Sequence, residues 1–189
     1  MDKTLKSSCL SLLINIAFSA YHITFGVVTH SWWLFTVGVY YLILSIMRFV
    51  VLITHKNTQF ITKFTGIMLM VLSIPLAGTV ILAVVSDRGT VFHMIVMIAM
   101  ATYTFTKVTL AVINLIRAKK HASQKVFMLR NISLATAAVS LFSLQRSMLV
   151  SFEGMTALEI QIMTAATGSA VCVAVFVLGI NLLQKRYEK

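Results

Sequence analysis

Six apolar runs follow one another along the chain, and only short polar breaks separate them. An α-helix of about 20 apolar residues crosses the hydrocarbon core of a bilayer. Because lipid offers no hydrogen bonds to the backbone, runs of this length fold as helices. The sequence therefore predicts an all-α polytopic membrane protein, a bundle of six transmembrane helices. The predicted spans are about 8–28, 33–54, 64–86, 91–115, 128–150 and 160–183.

The composition agrees with a chain that lies almost wholly in lipid. Hydrophobic residues make up 59% of the sequence and charged residues only 11%, against about 25% charged residues in a soluble domain. No polar stretch is long enough to bury a core of its own, so we predict a single domain over residues 1–189. A signal peptide would normally have a shorter apolar region that ends in a small-residue cleavage site. The first apolar run instead continues through Tyr21 and His22, so we predict a first span.

The basic residues predict the orientation. The net charge of +11 comes from 16 Lys and Arg residues against 5 Asp and Glu residues. The basic residues concentrate at both termini and in the breaks around 55–63 and 117–125, whereas the other three breaks carry few. The positive-inside rule then places both termini in the cytoplasm, and we expect the plasma membrane. The expected partner is the lipid bilayer and its anionic headgroups, not nucleic acid; a homo-oligomer or a membrane protein partner stays open.

The two halves of the chain resemble each other weakly. Three short matches occur in the same order in both halves: Ser45–Arg48 with Ser143–Arg146, Tyr21–Thr24 with Tyr103–Thr106, and Gly78–Thr79 with Gly168–Ser169. Three spans per half would make the second half inverted, which is a transporter architecture with its binding site at the repeat interface. Short matches also arise by chance in apolar sequence, so the 3+3 inverted repeat is a hypothesis.

Lys107 is the most informative polar residue. It lies about ten residues before Arg117 in the fourth span, which is roughly 15 Å deep at about 1.5 Å per residue. A lysine at this depth usually faces the bundle interior and marks a functional site; alternatively it snorkels to the headgroups. We predict that Tyr103 and Thr106 lie on its face and supply hydrogen bonds to a bound solute.

The acidic residues indicate what such a lysine would bind. All of them lie at span ends or in breaks: Asp2, Asp87, Glu153, Glu159 and Glu188. An ion pair in the middle of a span is therefore not expected, and an anionic substrate, an inorganic anion or a lipid phosphate is the expected counter-ion. The same distribution argues against cation transport through intramembrane carboxylates.

Further candidates lie on three other spans. Tyr41, Ser45 and Arg48 share one face of the second span by their spacing of four and then three residues. Arg146 lies near the end of the fifth span. Each arginine is interpreted either as a snorkelling anchor or as one of a pair that brackets an anion path.

The first span carries a polar stripe at steps of three or four residues: Ser8, Ser11, Asn15, Ser19, His22 and Gly26. In lipid such a stripe must face protein or water. Helix packing through small and polar residues explains it, and a solute-lining face in which Asn15 and His22 take part is the alternative.

The favoured function is binding or transport of a small solute, an anionic or carboxylate-bearing molecule held near Lys107. The motifs HExxH, GxSxG, Walker A and GxGxxG do not occur in the sequence, so we expect no enzymatic activity, cofactor or metal. Two alternatives remain. One is a membrane subunit or regulator of a multi-component transporter. The other is an intramembrane enzyme for lipid headgroups with His22 or His93 as its base.

Overall fold

A computed structural model of the chain describes residues 3–53, 58–85, 93–120, 124–151 and 154–184. These residues form six α-helices and no strand, so the prediction of an all-α chain is confirmed for them. The helices are α1 (Lys3–Val28), α2 (Trp32–Ile53), α3 (Thr58–Val85), α4 (Met94–Lys120), α5 (Gln124–Ser151) and α6 (Ala157–Gln184).

Five helices are long and apolar enough to cross a membrane, namely α2 to α6. Among the residues of α1 whose side chains the structure describes, the apolar segment is Leu12–Val28. Helices of this length and composition indicate an integral membrane protein. Whether α1 also spans the bilayer stays a prediction.

Most helices begin earlier or end later than the predicted spans. Helix α3 begins at Thr58 rather than at 64, and α4 ends at Lys120 rather than at 115. The hydrophobic run reports the thickness of the bilayer, whereas backbone hydrogen bonding continues through Lys, Gln and Arg, which are good helix formers. The predicted ends at 54 and 86 and the start at 91 lie outside the described residues.

A tight turn joins α1 to α2. The backbone N–H of Ser31 donates to the Gly26 carbonyl at 2.9 Å, and His30 takes a positive φ of 52°, in the left-handed region that ends many helices. The two helices then run so close together that a Cβ on Gly38 would lie 2.8 Å from the backbone nitrogen of Ile23. The absence of a side chain at Gly38 therefore allows α1 and α2 to lie this close together.

Three helix pairs have the most extensive contacts: α1 with α2, α3 with α6, and α4 with α5. Helices α3 and α6 meet through two glycines, because a Cβ on Gly66 would lie 3.0 Å from the Gly179 carbonyl oxygen and one on Gly179 2.9 Å from that of Gly66. Small residues at such crossings are typical of helix packing in membranes. The pairs are joined through α2 and α5, which contact each other and bury the largest share of their spans.

Candidate functional site

A polar seam runs between α2 and α5. Three contacts define it. The Arg146 guanidinium carbon lies 5.0 Å from the centre of the Trp33 ring, the Tyr41 hydroxyl donates to the Ser140 hydroxyl at 3.1 Å, and Arg48 Nη2 donates to the Ser133 hydroxyl at 2.9 Å. Because residue numbers rise along α2 as they fall along α5, the two helices are antiparallel. We call this interface the α2–α5 seam and name its two ends after Trp33 and Ser133.

Aromatic rings from α1, α2 and α4 meet halfway along the seam. The Phe18 and Tyr103 rings stack with centroids 3.5 Å apart, and Tyr41 presents an edge to each of them at 6.0 Å. The His22 ring lies 4.5 Å from Phe18 and 5.8 Å from Tyr41. We call Phe18, His22, Tyr41 and Tyr103 the central aromatic cluster.

Two basic side chains are buried beside this cluster. Lys107 is 3% exposed, and its Nζ lies 5.3 Å from the centre of the Tyr103 ring, a cation–π distance. Arg48 is 1% exposed and lies close enough to Lys107 for the two charges to interact. Neither side chain reaches the surface of the bundle, so neither Lys107 nor Arg48 snorkels to the headgroups. Two basic groups this close in a low-dielectric interior repel each other whenever both are charged.

The polar stripe of α1 borders the same cluster. Asn15, Ser19, His22 and Gly26 are all buried, so this part of the stripe faces the bundle interior. Asn15 Oδ1 accepts a hydrogen bond from the Tyr103 hydroxyl at 3.1 Å, and the Ser19 hydroxyl donates to the Gly38 carbonyl at 2.7 Å. His22 Nδ1 lies 3.1 Å from the Phe18 carbonyl oxygen.

Two polar atoms of the stripe have no hydrogen-bond partner among the described residues: Asn15 Nδ2 and His22 Nε2. Both belong to fully buried side chains. Buried polar groups are nearly always hydrogen-bonded to protein or to an ordered molecule. The region around the central aromatic cluster therefore has unused hydrogen-bonding capacity.

The prediction that Thr106 lies with Lys107 on an interior face is wrong. Its side chain is exposed, and its hydroxyl donates to the Thr102 carbonyl in the same helix at 2.8 Å. Adjacent helical residues point about 100° apart, since a turn takes about 3.6 residues, so the burial of Lys107 turns Thr106 outward.

Two other candidate residues, Ser45 and Arg146, are also buried, but neither brings a polar group to the solute position beside Lys107. The Ser45 hydroxyl donates to the Tyr41 carbonyl at 2.8 Å within α2. Arg146 is 3% exposed and lies at the Trp33 end of the seam, where it packs on the indole. Arg146 thus belongs to a different level of the bundle from Lys107.

Several residues of the seam were not predicted. Helix α5 carries buried hydroxyls at alternating steps of three and four residues: Ser133, Thr136, Ser140, Ser143 and Ser147. That spacing marks one helical face and could have revealed the stripe from the sequence. Phe18 had no such signal, because phenylalanine is common in apolar spans.

Comparison with protein-family models, with characterised proteins and with solved structures finds no match. Within the part of the chain that the structure describes, no group of three or more His, Cys, Asp and Glu side chains is placed to hold a metal ion. The function is therefore argued from the seam and its surroundings.

Proposed function

We propose that this protein binds and transports a small anionic or carboxylate-bearing solute, which is held next to Lys107. One observation carries the proposal: Lys107 on α4 and Arg48 on α2 are both buried beside the central aromatic cluster. An anion between them would be attracted by both charges. That attraction is much stronger in a low-dielectric interior than in water.

The surrounding groups suit an acceptor-rich solute. The planar guanidinium of Arg48 can donate two parallel hydrogen bonds to one carboxylate, and Lys107 supplies a compact point charge. The Asn15 amide adds a donor, because its Nδ2 is buried without a hydrogen-bond partner among the described residues. The Tyr103 hydroxyl orients that amide through its hydrogen bond to Asn15 Oδ1. Since lysine, arginine and the amide nitrogen only donate, the solute provides the acceptors.

Solute binding would also reduce the repulsion between the two buried cations. A ligand shifts a conformational equilibrium only by its difference in affinity between the states. A state in which Lys107 and Arg48 converge is favoured when an anion lies between them and disfavoured without one. This difference would link substrate binding to a change in access.

The helix packing supports the proposed 3+3 inverted repeat. Exchanging α1, α2 and α3 with α4, α5 and α6 converts the α1–α2 contact into the α4–α5 contact and the α2–α3 contact into the α5–α6 contact. The contacts α1–α4, α2–α5 and α3–α6 map onto themselves. The α3–α5 contact lacks a counterpart of similar extent among the described residues. Arg48 and Arg146 would then be equivalent residues, one at each level of a transport path.

We also propose the membrane and the orientation that the sequence predicts. The protein would lie in the plasma membrane with both termini in the cytoplasm, because the basic breaks alternate with non-basic ones. The Trp33 end of the seam, with the α1–α2 turn, would then face outward. We propose no enzymatic role.

A thermal-shift screen in detergent tests the binding site. Wild type and the Lys107→Met variant are screened with carboxylates, phosphates and inorganic anions at constant ionic strength. A ligand of the folded state raises the melting temperature. We expect at least one anion to stabilise wild type and to lose its effect in Lys107→Met. Thr106→Val is the matched control on the same helix, because Thr106 is exposed, and it should respond like wild type.

The proposal fails if no anion raises the melting temperature of wild type, or if Lys107→Met responds as wild type does. Transport is then tested separately, by uptake of the stabilising anion into proteoliposomes. Binding without uptake would reduce the protein to a solute-binding membrane subunit.

A further inference from the structure

A second set of buried polar atoms lies away from Lys107. Four polar side-chain atoms have no hydrogen-bond partner in the described part of the chain: Trp33 Nε1, Tyr40 OH, Ser143 Oγ and Thr164 Oγ1. Their side chains are at most 3% exposed. Such a concentration is unusual, because native proteins hydrogen-bond nearly all of their buried polar groups.

The members from α2 and α5 occupy one stretch of the seam. Trp33 and Tyr40 are seven residues apart and so share a face of α2. Ser143 is one turn from Arg146, whose guanidinium lies over the Trp33 ring. All of these residues lie between the Trp33–Arg146 contact and the Tyr41–Ser140 contact, at the Trp33 end of the seam.

Helix α6 contributes Thr164. Gly168 lies between α3 and α5, because a Cβ on it would be 2.6 Å from the Val80 side chain and 3.1 Å from the Phe142 ring. Thr164 is one turn before Gly168 and shares its face, so it faces the same two helices. The Tyr40 side chain lies within electrostatic range of Cys172, also on α6. Trp33, Tyr40 and Ser143 therefore lie in one stretch of the α2–α5 seam beside Arg146, and Thr164 lies on the face of α6 that is turned towards α3 and α5.

We propose that Trp33, Tyr40, Ser143, Thr164 and Arg146 form a binding site for a small inorganic anion of the halide class. The indole N–H and the guanidinium can only donate hydrogen bonds, and the three hydroxyls can donate as well. A cluster of donors next to a positive charge suits an anionic acceptor better than a metal cation. A monatomic anion satisfies donors from several directions and needs no shaped cavity. The site shares only Arg146 with the proposed transport path, and it does not include Lys107.

Trp33 makes the site observable. The chain has two tryptophans, and Trp32 is 72% exposed, so Trp32→Phe leaves Trp33 as the only indole. Iodide quenches indole fluorescence on contact. The purified variant is titrated in detergent with sodium iodide at constant ionic strength, with gluconate as the replacement anion. We expect quenching that saturates and that chloride, which does not quench, competes away.

Two conservative variants locate the bound ion. In the Trp32→Phe background, Ser143→Ala and Thr164→Val each remove one hydroxyl and should raise the half-saturating iodide concentration about tenfold, the effect of one lost hydrogen bond to a charged group. Thr136→Val is the matched control. Its hydroxyl is buried and already donates to the Ile132 carbonyl at 2.7 Å within α5. Thr136→Val and Lys107→Met should leave the titration unchanged.

The inference is overturned if iodide fails to quench Trp33 or quenches it without saturation, since ordered water would then satisfy the four atoms. It is also overturned if saturable quenching is the same in Ser143→Ala, Thr164→Val and the Thr136→Val control, because the ion would then bind elsewhere. Loss of saturable quenching in Lys107→Met alone would move the anion to the Lys107 site and would likewise end the inference.

Discussion

The Tyr103 ring on α4 lies parallel to the Phe18 ring on α1, with centroids 3.5 Å apart and planes at 3°. Aromatic pairs generally prefer offset or edge-to-face arrangements, and a full face-to-face overlap is less favourable. The packing of α1 against α4 therefore imposes this stack. It also joins the polar stripe of α1 to the helix that carries Lys107.

Removing the stack should loosen α1. Phe18→Ala deletes a ring that contacts Tyr103, Tyr41 and His22, and we expect a loss of about 2 kcal/mol or more in unfolding free energy, as for large-to-small core substitutions. Reversible unfolding in mixed detergent measures the change. Phe105→Ala is the control, because Phe105 on α4 is 64% exposed. Equal effects of the two substitutions would mean that the stack contributes nothing specific.

Lys107→Met should not destabilise the protein without ligand. Taking a charged group out of water into the protein interior costs free energy, and Lys107 also lies close to a second basic group, Arg48. We therefore expect the variant to melt at the wild-type temperature or above it in anion-free buffer. A clear drop in melting temperature would contradict this and would show that the lysine charge stabilises the ligand-free fold.

Two glycines should respond in opposite directions to alanine. At Gly38 the added Cβ would lie 2.7 Å from Ile23 Cγ1 and 2.8 Å from the Ile23 backbone nitrogen, so the α1–α2 pair must separate, at a cost of about 1–3 kcal/mol. At Gly78, inside α3, no heavy atom lies within 4 Å of the added Cβ. Gly78→Ala should stabilise α3 by about 1 kcal/mol or less, because alanine is the better helix former. The melting temperatures of both variants test these two expectations. A Gly38→Ala variant more stable than wild type would contradict the close approach of α1 and α2.

Thiol labelling in intact cells tests the orientation. In a background without Cys9 and Cys172, single cysteines replace Met155, in the α5–α6 turn, and Lys63, near the start of α3; both positions are exposed. The positive-inside rule predicts that an impermeant maleimide labels Met155→Cys in intact cells and Lys63→Cys only after permeabilisation. The reverse pattern would invert the topology. Labelling of both positions in intact cells would mean that α3, α4 and α5 do not all cross the membrane.

The helices could be predicted from the sequence because the length of an apolar run reports the solvent directly. The inward direction of the α1 stripe followed in the same way, since Asn15, Ser19 and His22 repeat at helical spacing. The error at Thr106 has a simple cause. Thr106 and Lys107 are neighbours in sequence but lie about 100° apart around α4, and the sequence does not say which of them faces the core.

The partners across the seam were beyond prediction from the sequence. Arg48 and Arg146 lie near the ends of their spans, where depth alone is compatible with snorkelling. Their burial depends on how α2 and α5 are rotated and aligned, as the contacts of Arg48 with Ser133 and of Arg146 with Trp33 record. That alignment is a tertiary property, set by the packing of α2 against α1 and α3 and of α5 against α4 and α6.

The seam has a consequence for how the chain is made. Helix α2 enters the membrane long before its polar partners exist, because Ser133 follows Arg48 by 85 residues and Ser140 follows Tyr41 by 99. Until α5 is synthesised, α2 must keep a guanidinium and a phenol among lipids or inside the insertion machinery, an environment that disfavours charged groups. In a nascent chain that stops after α3, the insertion of α2 is therefore not yet stabilised by these contacts. Once α5 is synthesised, the contacts stabilise both helices in the bilayer.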